Sequence, residues 1–244
     1  MKRLGTFCII IFCISILNLI CNSYHEEEVY IVGELIGMGV SNSNRNDTNQ
    51  TIPTSYNALG TMAFIKASNN EFVALGHSSN EYENTDVDID CFGVKLICIN
   101  KSNENEVGSI IGKINQSKKN GNIYKDTKYG VFGKVDEIDT EKYLKVKTTS
   151  RYNVKKGKAN ILTKISGDKL ESFDAEITDI DYLDENKNIK IKVKDSNLIE
   201  KTGGIIQGMS GTPLMQDGKL IGVLNYVQAN DSKCAYAVFV DKLI

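Results

Sequence analysis

One serine and its neighbours have the composition of a hydrolytic centre. Ser210 lies in the run Gly-Met-Ser-Gly-Thr-Pro at positions 208–213, and the proline leads into an apolar segment. Acyl transfer needs a serine hydroxyl on a tight turn, with backbone N–H groups beside it to bind the oxyanion. A glycine two positions earlier lets the chain turn sharply. The sequence therefore predicts Ser210 as nucleophile, with the N–H groups of Gly208 and Ser210 as the oxyanion hole.

Composition limits the choice of a general base for that serine, because the chain has 2 histidines. His25 lies in an acidic stretch, whereas His77 follows the apolar run Phe72–Leu75 and a glycine. Histidine changes charge near neutral pH, which suits a general base. A lone histidine at a strand end is more often structural. However, His77 precedes Ser210 by more than half of the chain, as in double-barrel proteases, whereas α/β-hydrolases have the opposite order.

The third member of a catalytic triad would be an acid that accepts the other N–H of the histidine imidazole and holds the ring in one tautomer. The spacing of aspartates gives several candidates: Asp86, Asp88, Asp90, Asp136, Asp139 and Asp195. Asp136 and Asp139 lie between the two predicted barrels, which slightly favours Asp136. Most of these aspartates are equally typical of solvated turns, so spacing leaves the choice open.

The elements that must position these residues are short strands. Turn residues separate short alternating runs, at residues 61–65, 72–75, 94–99, 145–147, 161–165, 189–193, 220–227 and 235–240. Many short strands at this spacing are typical of an all-β barrel or sandwich. Asp-Gly at 217–218 predicts a hairpin, and residues 195–201 predict one helical turn. A further strand with glycine breaks is predicted at 29–40, before a polar linker at 41–50.

The N-terminus predicts export. Lys2 and Arg3 precede an apolar run from Leu4 to Ile20, the pattern of a signal segment and close to the shortest membrane span. No small-x-small cleavage site follows. We therefore expect residues 1–22 to be a signal peptide or anchor helix that leaves the body outside the cytoplasm. Residues 23–55 are the predicted stem and linker, and residues 56–244 the predicted body.

Composition argues against other classes of function. The charge is nearly balanced, with 29 basic and 31 acidic residues and no basic stripe, so a nucleic-acid partner is not expected. Of the 6 cysteines, three lie in or beside the N-terminal apolar segment, and the other three contain no C-x-x-C pair. No metal site or other cofactor is therefore expected.

Four segments carry a specific resemblance to a known family. They are Gly-Thr-Met-Ala-Phe at 60–64, Ala-Leu-Gly-His at 74–77, Tyr-Gly-Val-Phe-Gly-Lys at 129–134 and the long block from Lys194 to Pro213. These segments resemble the SpoIVB peptidases, serine peptidases of bacterial sporulation, over about residues 56–244. The resemblance implies a chymotrypsin-like double β-barrel with His77 and Ser210 as catalytic residues. It also puts the orienting acid on Asp195, which overrides the weak spacing preference for Asp136.

The chain departs from the family pattern in three places. Family members usually carry a PDZ domain before the peptidase, but residues 23–55 are too few for one. The segment from Ser78 to Asp90 is longer and more acidic than the family's, and Thr212 stands where the family commonly has serine. The catalytic residues are present, so we expect a PDZ-less peptidase.

The resemblance also implies a biological role. It implies an endopeptidase exported to the space between forespore and mother-cell membranes, where it cleaves a membrane-linked regulatory protein. Membrane contact would come from the N-terminal segment, and self-cleavage around residues 23–28 is a further event that this interpretation allows. The alternative is a catalytically inactive pseudoprotease that acts as a binding or regulatory module. Reaction of Ser210 with a fluorophosphonate distinguishes the two, because only an activated serine is labelled.

Overall fold

The computed structural model describes residues 25–39, 58–75, 85–104, 106–165 and 167–244, and the regular secondary structure of these residues is almost entirely β-strand. The first group of strands is β1 (Glu28–Gly39), β2 (Ala58–Lys66), β3 (Glu71–Ala74), β4 (Thr85–Asn100), β5 (Ser109–Thr127), β6 (Gly130–Lys134) and β7 (Leu144–Lys147). They pair in the order β2-β3-β6-β5-β4-β1-β7, and a further β1–β2 pairing closes the first six into a ring. Alternate residues of these strands face inward and form the core of a first barrel.

The second group of strands forms another closed barrel. Its strands are β8 (Gly157–Thr163), β9 (Glu171–Ile180), β10 (Ile189–Val193), β11 (Pro213–Gln216), β12 (Lys219–Gln228) and β13 (Asp231–Phe239). They pair in the order β10-β13-β12-β11-β8-β9. A short helix, α1 (Ser196–Thr202), lies between β10 and β11, and single 3-10 turns occur at Thr140–Lys142, Arg151–Asn153 and Val240–Lys242. The predicted all-β double barrel of chymotrypsin-like type is therefore confirmed.

A third apolar cluster lies between the two barrels. The first barrel contributes side chains of β1, β2 and β3, including Ile31 and Phe64, which are fully buried. The second contributes residues such as Val223 and Val238 of β12 and β13. Backbone bonds cross the same boundary, since the N–H of Lys164 donates to the carbonyl of Gly33 at 2.9 Å. The two barrels therefore pack through a shared core rather than through a flexible linker.

Several local predictions are confirmed. Residues 217 and 218 connect β11 to β12 with φ angles of +51° and +75°, the left-handed pair that a two-residue hairpin turn requires. The predicted helical turn is α1, which begins directly after Asp195. The predicted strand at 29–40 is β1, but it is a strand of the first barrel, paired with β2, β4 and β7, rather than part of a separate stem.

The predicted signal or anchor at residues 1–22 lies outside the described residues. Within the described ranges, no helix combines the length and the apolar character needed to span a bilayer. On β4, Cys91 is buried and Cys98 is exposed.

Candidate active site

The predicted nucleophile lies in a tight loop between α1 and β11. The N–H of Met209 donates to the carbonyl of Ile206 at 3.1 Å, and that of Thr212 donates to the carbonyl of Met209 at 3.0 Å. These two bonds wrap the chain around Ser210. The Ser210 hydroxyl donates to the carbonyl oxygen of Asn225 on β12 at 3.4 Å. The half-buried hydroxyl thus lies on a turn at the end of the second barrel, as acyl transfer requires.

Thr61 of β2 holds this loop against the first barrel. Its N–H donates to the carbonyl of Ser210 at 2.8 Å, and its own carbonyl accepts the N–H of Leu75 at 3.1 Å. Its hydroxyl donates to the carbonyl of Gly208 at 2.9 Å. One fully buried residue therefore bonds to both sides of the nucleophile and to the end of β3.

The contact between the barrels requires a glycine after the serine. A Cβ on Gly211 would lie 1.9 Å from the carbonyl oxygen of Thr61 and 2.8 Å from the nitrogen of Leu75. Gly211 also has a φ of +99°, which L-residues rarely adopt. The glycine therefore allows the two backbones to touch.

The predicted oxyanion-hole residues, Gly208 and Ser210, belong to the same loop. The peptide before them is clamped by the β4–β5 hairpin, because Gln207 donates its N–H to the carbonyl of Gly108 at 2.8 Å and accepts the N–H of Ile110 at 2.9 Å. The Ile110 side chain packs against Gly208. Fixed donors stabilise a developing oxyanion far better than mobile ones, and these bonds limit the mobility of the loop.

A cavity of about 300 Å³ adjoins Ser210. Its lining is largely apolar and has no charged residue: Leu59, Ile205, Ile206, Gln207, Gly208, Met209, Ser210, Leu224, Asn225, Tyr226 and Val227. Leu59 comes from the first barrel and the remainder from the second. The cavity is suited to an uncharged side chain of a bound molecule.

The predicted base, His77, lies outside the described residues. The strand before it is described: β3 ends at Ala74, and Leu75 is buried with a φ of +53°, an unusual backbone conformation for leucine.

At the other end of β3, Glu71 forms an ion pair with Lys66 at 2.6 Å. Burial alone would raise the pKa of the Glu71 carboxyl, but the Lys66 ammonium and the Tyr124 hydroxyl outweigh it and hold that pKa below its usual value.

The predicted acid, Asp195, caps α1. One of its carboxylate oxygens accepts the N–H groups of Asn197 at 2.9 Å and Leu198 at 3.0 Å, and the other accepts the N–H of Asp174 at 3.4 Å. This is the bonding of a helix N-cap. Asp136 is exposed after β6 and lines a second cavity, which shares no lining residue with the cavity beside Ser210.

The other four aspartates have surface surroundings. Asp86 is exposed, Asp88 accepts a bond from Asn122 at 2.8 Å, Asp90 pairs with Lys119 at 2.6 Å, and Asp139 pairs with Lys142 at 2.8 Å. No group of three or more metal-ligating side chains occurs in the described ranges.

Sequence reasoning missed a buried acid. Asp126, near the end of β5, is fully buried, and among the described residues it is the only acidic side chain in the buried class. Simple alternation from the inward-facing Ile123 would turn Asp126 outward. A bulge between Ile123 and Lys125 in the β5–β6 pairing reverses that direction. No signal in the sequence marks this bulge.

The chain is similar to a known protein family: the family model of the SpoIVB peptidase S55 matches residues 51–244. No curated protein sequence matches the chain significantly. Among solved structures, the chain is similar to the active form of the Rv3671c protease from M. tuberculosis, with 12% identity, a TM-score of 0.46, and coverage of 87% of this chain and 78% of that one.

Two further structures are similar to the chain. The protease Anisep from Arthrobacter nicotinovorans has 12% identity and a TM-score of 0.42, with coverage of 88% of this chain and 93% of that one. The MamO protease domain from Magnetospirillum magneticum has 12% identity and a TM-score of 0.37, with coverage of 87% and 95%.

Proposed function

The chain is a serine peptidase of the SpoIVB peptidase S55 family, and from that premise we propose that it is an endopeptidase with Ser210 as nucleophile and His77 as general base. One observation carries the proposal. The Ser210 carbonyl accepts a hydrogen bond from the N–H of Thr61, and the Thr61 carbonyl accepts one from the N–H of Leu75. In the sequence, only Gly76 separates Leu75 from His77. The serine loop of one barrel thus touches the segment of the other that leads to the histidine.

The chemistry follows from these assignments. The Ser210 hydroxyl attacks the scissile carbonyl carbon while His77 accepts its proton, and the carbonyl oxygen becomes an oxyanion bound by the N–H groups of Gly208 and Ser210. The C–N bond then breaks as His77 returns the proton to the leaving amine. Water repeats the sequence on the acyl-enzyme and releases the carboxylic acid. The family resemblance assigns the acid that orients His77 to Asp195.

The cavity beside Ser210 supports a substrate class for this reaction. Its lining contains no charge, and a charged side chain would lose its hydration there without a partner. An apolar side chain before the scissile bond would bury its surface against Met209 and Leu224. We therefore expect cleavage after apolar residues.

The biological setting is proposed from the family and from the N-terminal sequence. The peptidase would act outside the cytoplasm during sporulation, between the forespore and mother-cell membranes, and cleave a membrane-linked regulatory protein. The apolar run from Leu4 to Ile20 supports export and membrane attachment. Replacing the chromosomal gene with the Ser210→Ala form should block sporulation at the stage at which deletion of the gene blocks it.

The enzymatic proposal is tested with the full chain and two internally quenched peptides that differ at one position, leucine against aspartate before the cut. The parent should cleave the leucine peptide faster and should react with a fluorophosphonate at Ser210. Ser210→Ala should lower kcat by about 10⁶-fold, the order found when the nucleophile of a serine protease is removed. Ser172→Ala is the matched control, because Ser172 is exposed on β9.

The outcomes distinguish the nucleophile assignment, the binding-module alternative and the substrate class. Cleavage by Ser210→Ala at the parental rate would contradict the nucleophile assignment. Absence of labelling in well-folded parent protein would favour the binding-module alternative. Equal cleavage of both peptides would reject the substrate class and leave the nucleophile assignment intact.

A further inference from the structure

We propose that Lys187 determines a second element of substrate specificity, by binding the carboxylate of an acidic residue next to the apolar residue that fills the cavity beside Ser210. The proposal rests on the proposed function, since it takes Ser210 as the nucleophile and the cavity as the site of the residue before the cut. It adds a positively charged subsite at the rim of that cavity, which the peptidase activity by itself does not specify.

Tyr226 connects the cavity to the outer face of the second barrel. It lines the cavity, is 37% exposed, and directly follows Asn225, whose carbonyl accepts the Ser210 hydroxyl at 3.4 Å. In the β12–β13 pairing, Tyr226 lies opposite Tyr236. Directly paired residues place their side chains on the same face of a sheet. The two rings therefore form one aromatic surface that extends from the cavity across the outside of the barrel.

Two lysines place positive charge over this aromatic surface. The Nζ atom of Lys187 lies 5.7 Å from the centroid of the Tyr226 ring and 5.5 Å from that of the Tyr236 ring. The Nζ atom of Lys190 lies 5.7 Å from the Tyr236 centroid. An ammonium group is attracted to the negative face of an aromatic ring, which restricts a long side chain without neutralising its charge. The rings therefore hold the Lys187 ammonium at the rim of the cavity.

The loop that carries Lys187 connects β9 to β10 and is fixed by its own hydrogen bonds. One carboxylate oxygen of Asp184 accepts the N–H groups of Asn186 and Lys187, both at 2.8 Å. The Asp181 carboxylate accepts the N–H of Asp184 at 3.1 Å. The buried side chain of Asn188 donates to the carbonyls of Asp181 at 3.0 Å and Asp184 at 2.6 Å. Side chains that bond to nearby backbone in this way stabilise a turn, so the backbone under Lys187 has a defined conformation.

The same loop is bonded to the strand beside the nucleophile. The carbonyl of Asn186 accepts a hydrogen bond from the side-chain amide of Asn225, which is buried. The carbonyl of Asn225 in turn accepts the Ser210 hydroxyl. Two hydrogen bonds therefore connect the residue before Lys187 to the reacting oxygen, and they fix the direction of the loop relative to the cavity.

The acidic residues of this loop are engaged elsewhere. Glu185 forms an ion pair with Lys128 of the β5–β6 turn at 3.0 Å. The N–H groups of Lys187 and Asn186 hold the pKa of the Asp184 carboxyl below its usual value, with a smaller contribution from the Lys187 ammonium. Within the described part of the chain, no carboxylate forms an ion pair with that ammonium. Lys187 therefore offers its charge to a carboxylate from a bound molecule.

A substrate carboxylate beside the cut fits this arrangement. An extended peptide advances about 3.3 Å per residue, so an acidic residue one or two positions from the residue in the cavity comes within reach of the Lys187 ammonium. A basic residue at the same position would meet a like charge, which disfavours the wrong substrate. We therefore expect substrates with an apolar residue before the cut and a glutamate or aspartate close to it.

The test uses the full chain and internally quenched peptides that all have leucine before the cut. Each peptide carries glutamate, glutamine or lysine at one of four positions, the two before the leucine and the two after it. At one of these positions the parent should prefer glutamate to glutamine by about three- to fivefold in kcat/KM, the range of an exposed charge pair, and lysine should be worst there. Raising the salt concentration from about 0.05 M to about 0.5 M should remove most of this preference.

Three variants assign the preference to one side chain. Lys187→Gln should abolish it by raising KM for the glutamate peptide with kcat nearly unchanged, because the ion pair is made equally in the ground state and the transition state. Lys187→Glu should reverse it, so that the lysine peptide becomes the best of the three. Lys158→Gln is the matched control, because Lys158 is exposed on β8, whose residues do not line the cavity, and this variant should keep the parental preference.

Three results would overturn the charged subsite while Ser210 still reacts with the fluorophosphonate and the proposed function stands. The first is equal cleavage of the glutamate and glutamine peptides at all four positions. The second is an unchanged preference in Lys187→Gln. The third is an equal loss in Lys187→Gln and Lys158→Gln, which would assign the preference to net charge. A parent that cleaves no peptide and is not labelled would instead reject the proposed function, and the subsite with it.

Discussion

At the scale of single residues, Thr61 is a polar link between the two barrels at the serine loop. The hydrogen bonds to Ser210 and Leu75 use the backbone of Thr61 and do not depend on its side chain. The hydrogen bond to the carbonyl of Gly208, in contrast, requires the Thr61 hydroxyl. That bond sets the direction of the carbonyl of Gly208 and so stiffens the peptides on which the oxyanion hole depends. The side chain is fully buried, so no solvent replaces the bond when it is lost.

Replacing Thr61 with valine should therefore impair catalysis more than binding. Valine keeps the shape and the backbone bonds but leaves the carbonyl of Gly208 without this donor. We expect kcat on the leucine peptide to fall about tenfold, the equivalent of one hydrogen bond of about 1.4 kcal/mol, with little change in KM. Removing an oxyanion donor itself costs about 10²- to 10³-fold, so the effect should be smaller than that.

Thr61→Ser is the matched control, because serine retains the hydroxyl and loses only a methyl group. It should keep kcat within about threefold while losing some stability to the small cavity. Equal losses of kcat in the valine and serine variants would show that packing, not the hydroxyl, explains the effect.

At the scale of elements, the β4–β5 hairpin extends from the first barrel to the second. Ser109 and Gln207 form a parallel bridge, and the N–H of Ser102 donates to the carbonyl of Thr202 at the end of α1 at 2.8 Å. The hairpin therefore holds both the helix and the segment that enters the serine loop. Ile110, a residue of β5, belongs to the hydrophobic core of the second barrel.

Truncation of the Ile110 side chain should weaken the contact between the β4–β5 hairpin and the segment that enters the serine loop. Ile110 is 6% exposed, whereas its neighbour Ile111 is 40% exposed, so the pair supplies a matched comparison on adjacent positions. Ile110→Ala should lower the free energy of unfolding by about 2–4 kcal/mol and slow the labelling of Ser210, because the side chain packs on Gly208. Ile111→Ala should change stability by less than about 0.5 kcal/mol. Urea unfolding and labelling kinetics measure both effects, and indistinguishable variants would contradict the clamp.

The elements also show what the sequence can predict. The 217–218 hairpin and the helical turn after Asp195 follow from local chemistry, namely left-handed turn residues and a capping side chain. Ser210 is recognisable because the glycines and the proline around it are local as well. Asp126 is not, because its direction depends on a bulge that arises only when β5 pairs with β6.

At the scale of the whole molecule, the active-site elements are divided between two barrels that meet through a shared apolar core. Phe64, on β2, is among the largest fully buried side chains and lies in that interface three residues after Thr61. Phe173, on β9, is similarly buried but belongs to the interior of the second barrel. Phe64 therefore packs where the first barrel meets the second, whereas Phe173 packs inside the second barrel.

Phe64→Leu and Phe173→Leu should consequently differ in activity although both weaken a core. Each should lower the free energy of unfolding by about 1–3 kcal/mol, the range of most buried substitutions. At a temperature at which both are folded, Phe64→Leu should label Ser210 about fivefold more slowly than Phe173→Leu, because about 1 kcal/mol of docking energy is lost between the barrels. Labelling rates that follow stability alone, with no difference between the two positions, would mean that the serine loop is positioned by the second barrel without the first.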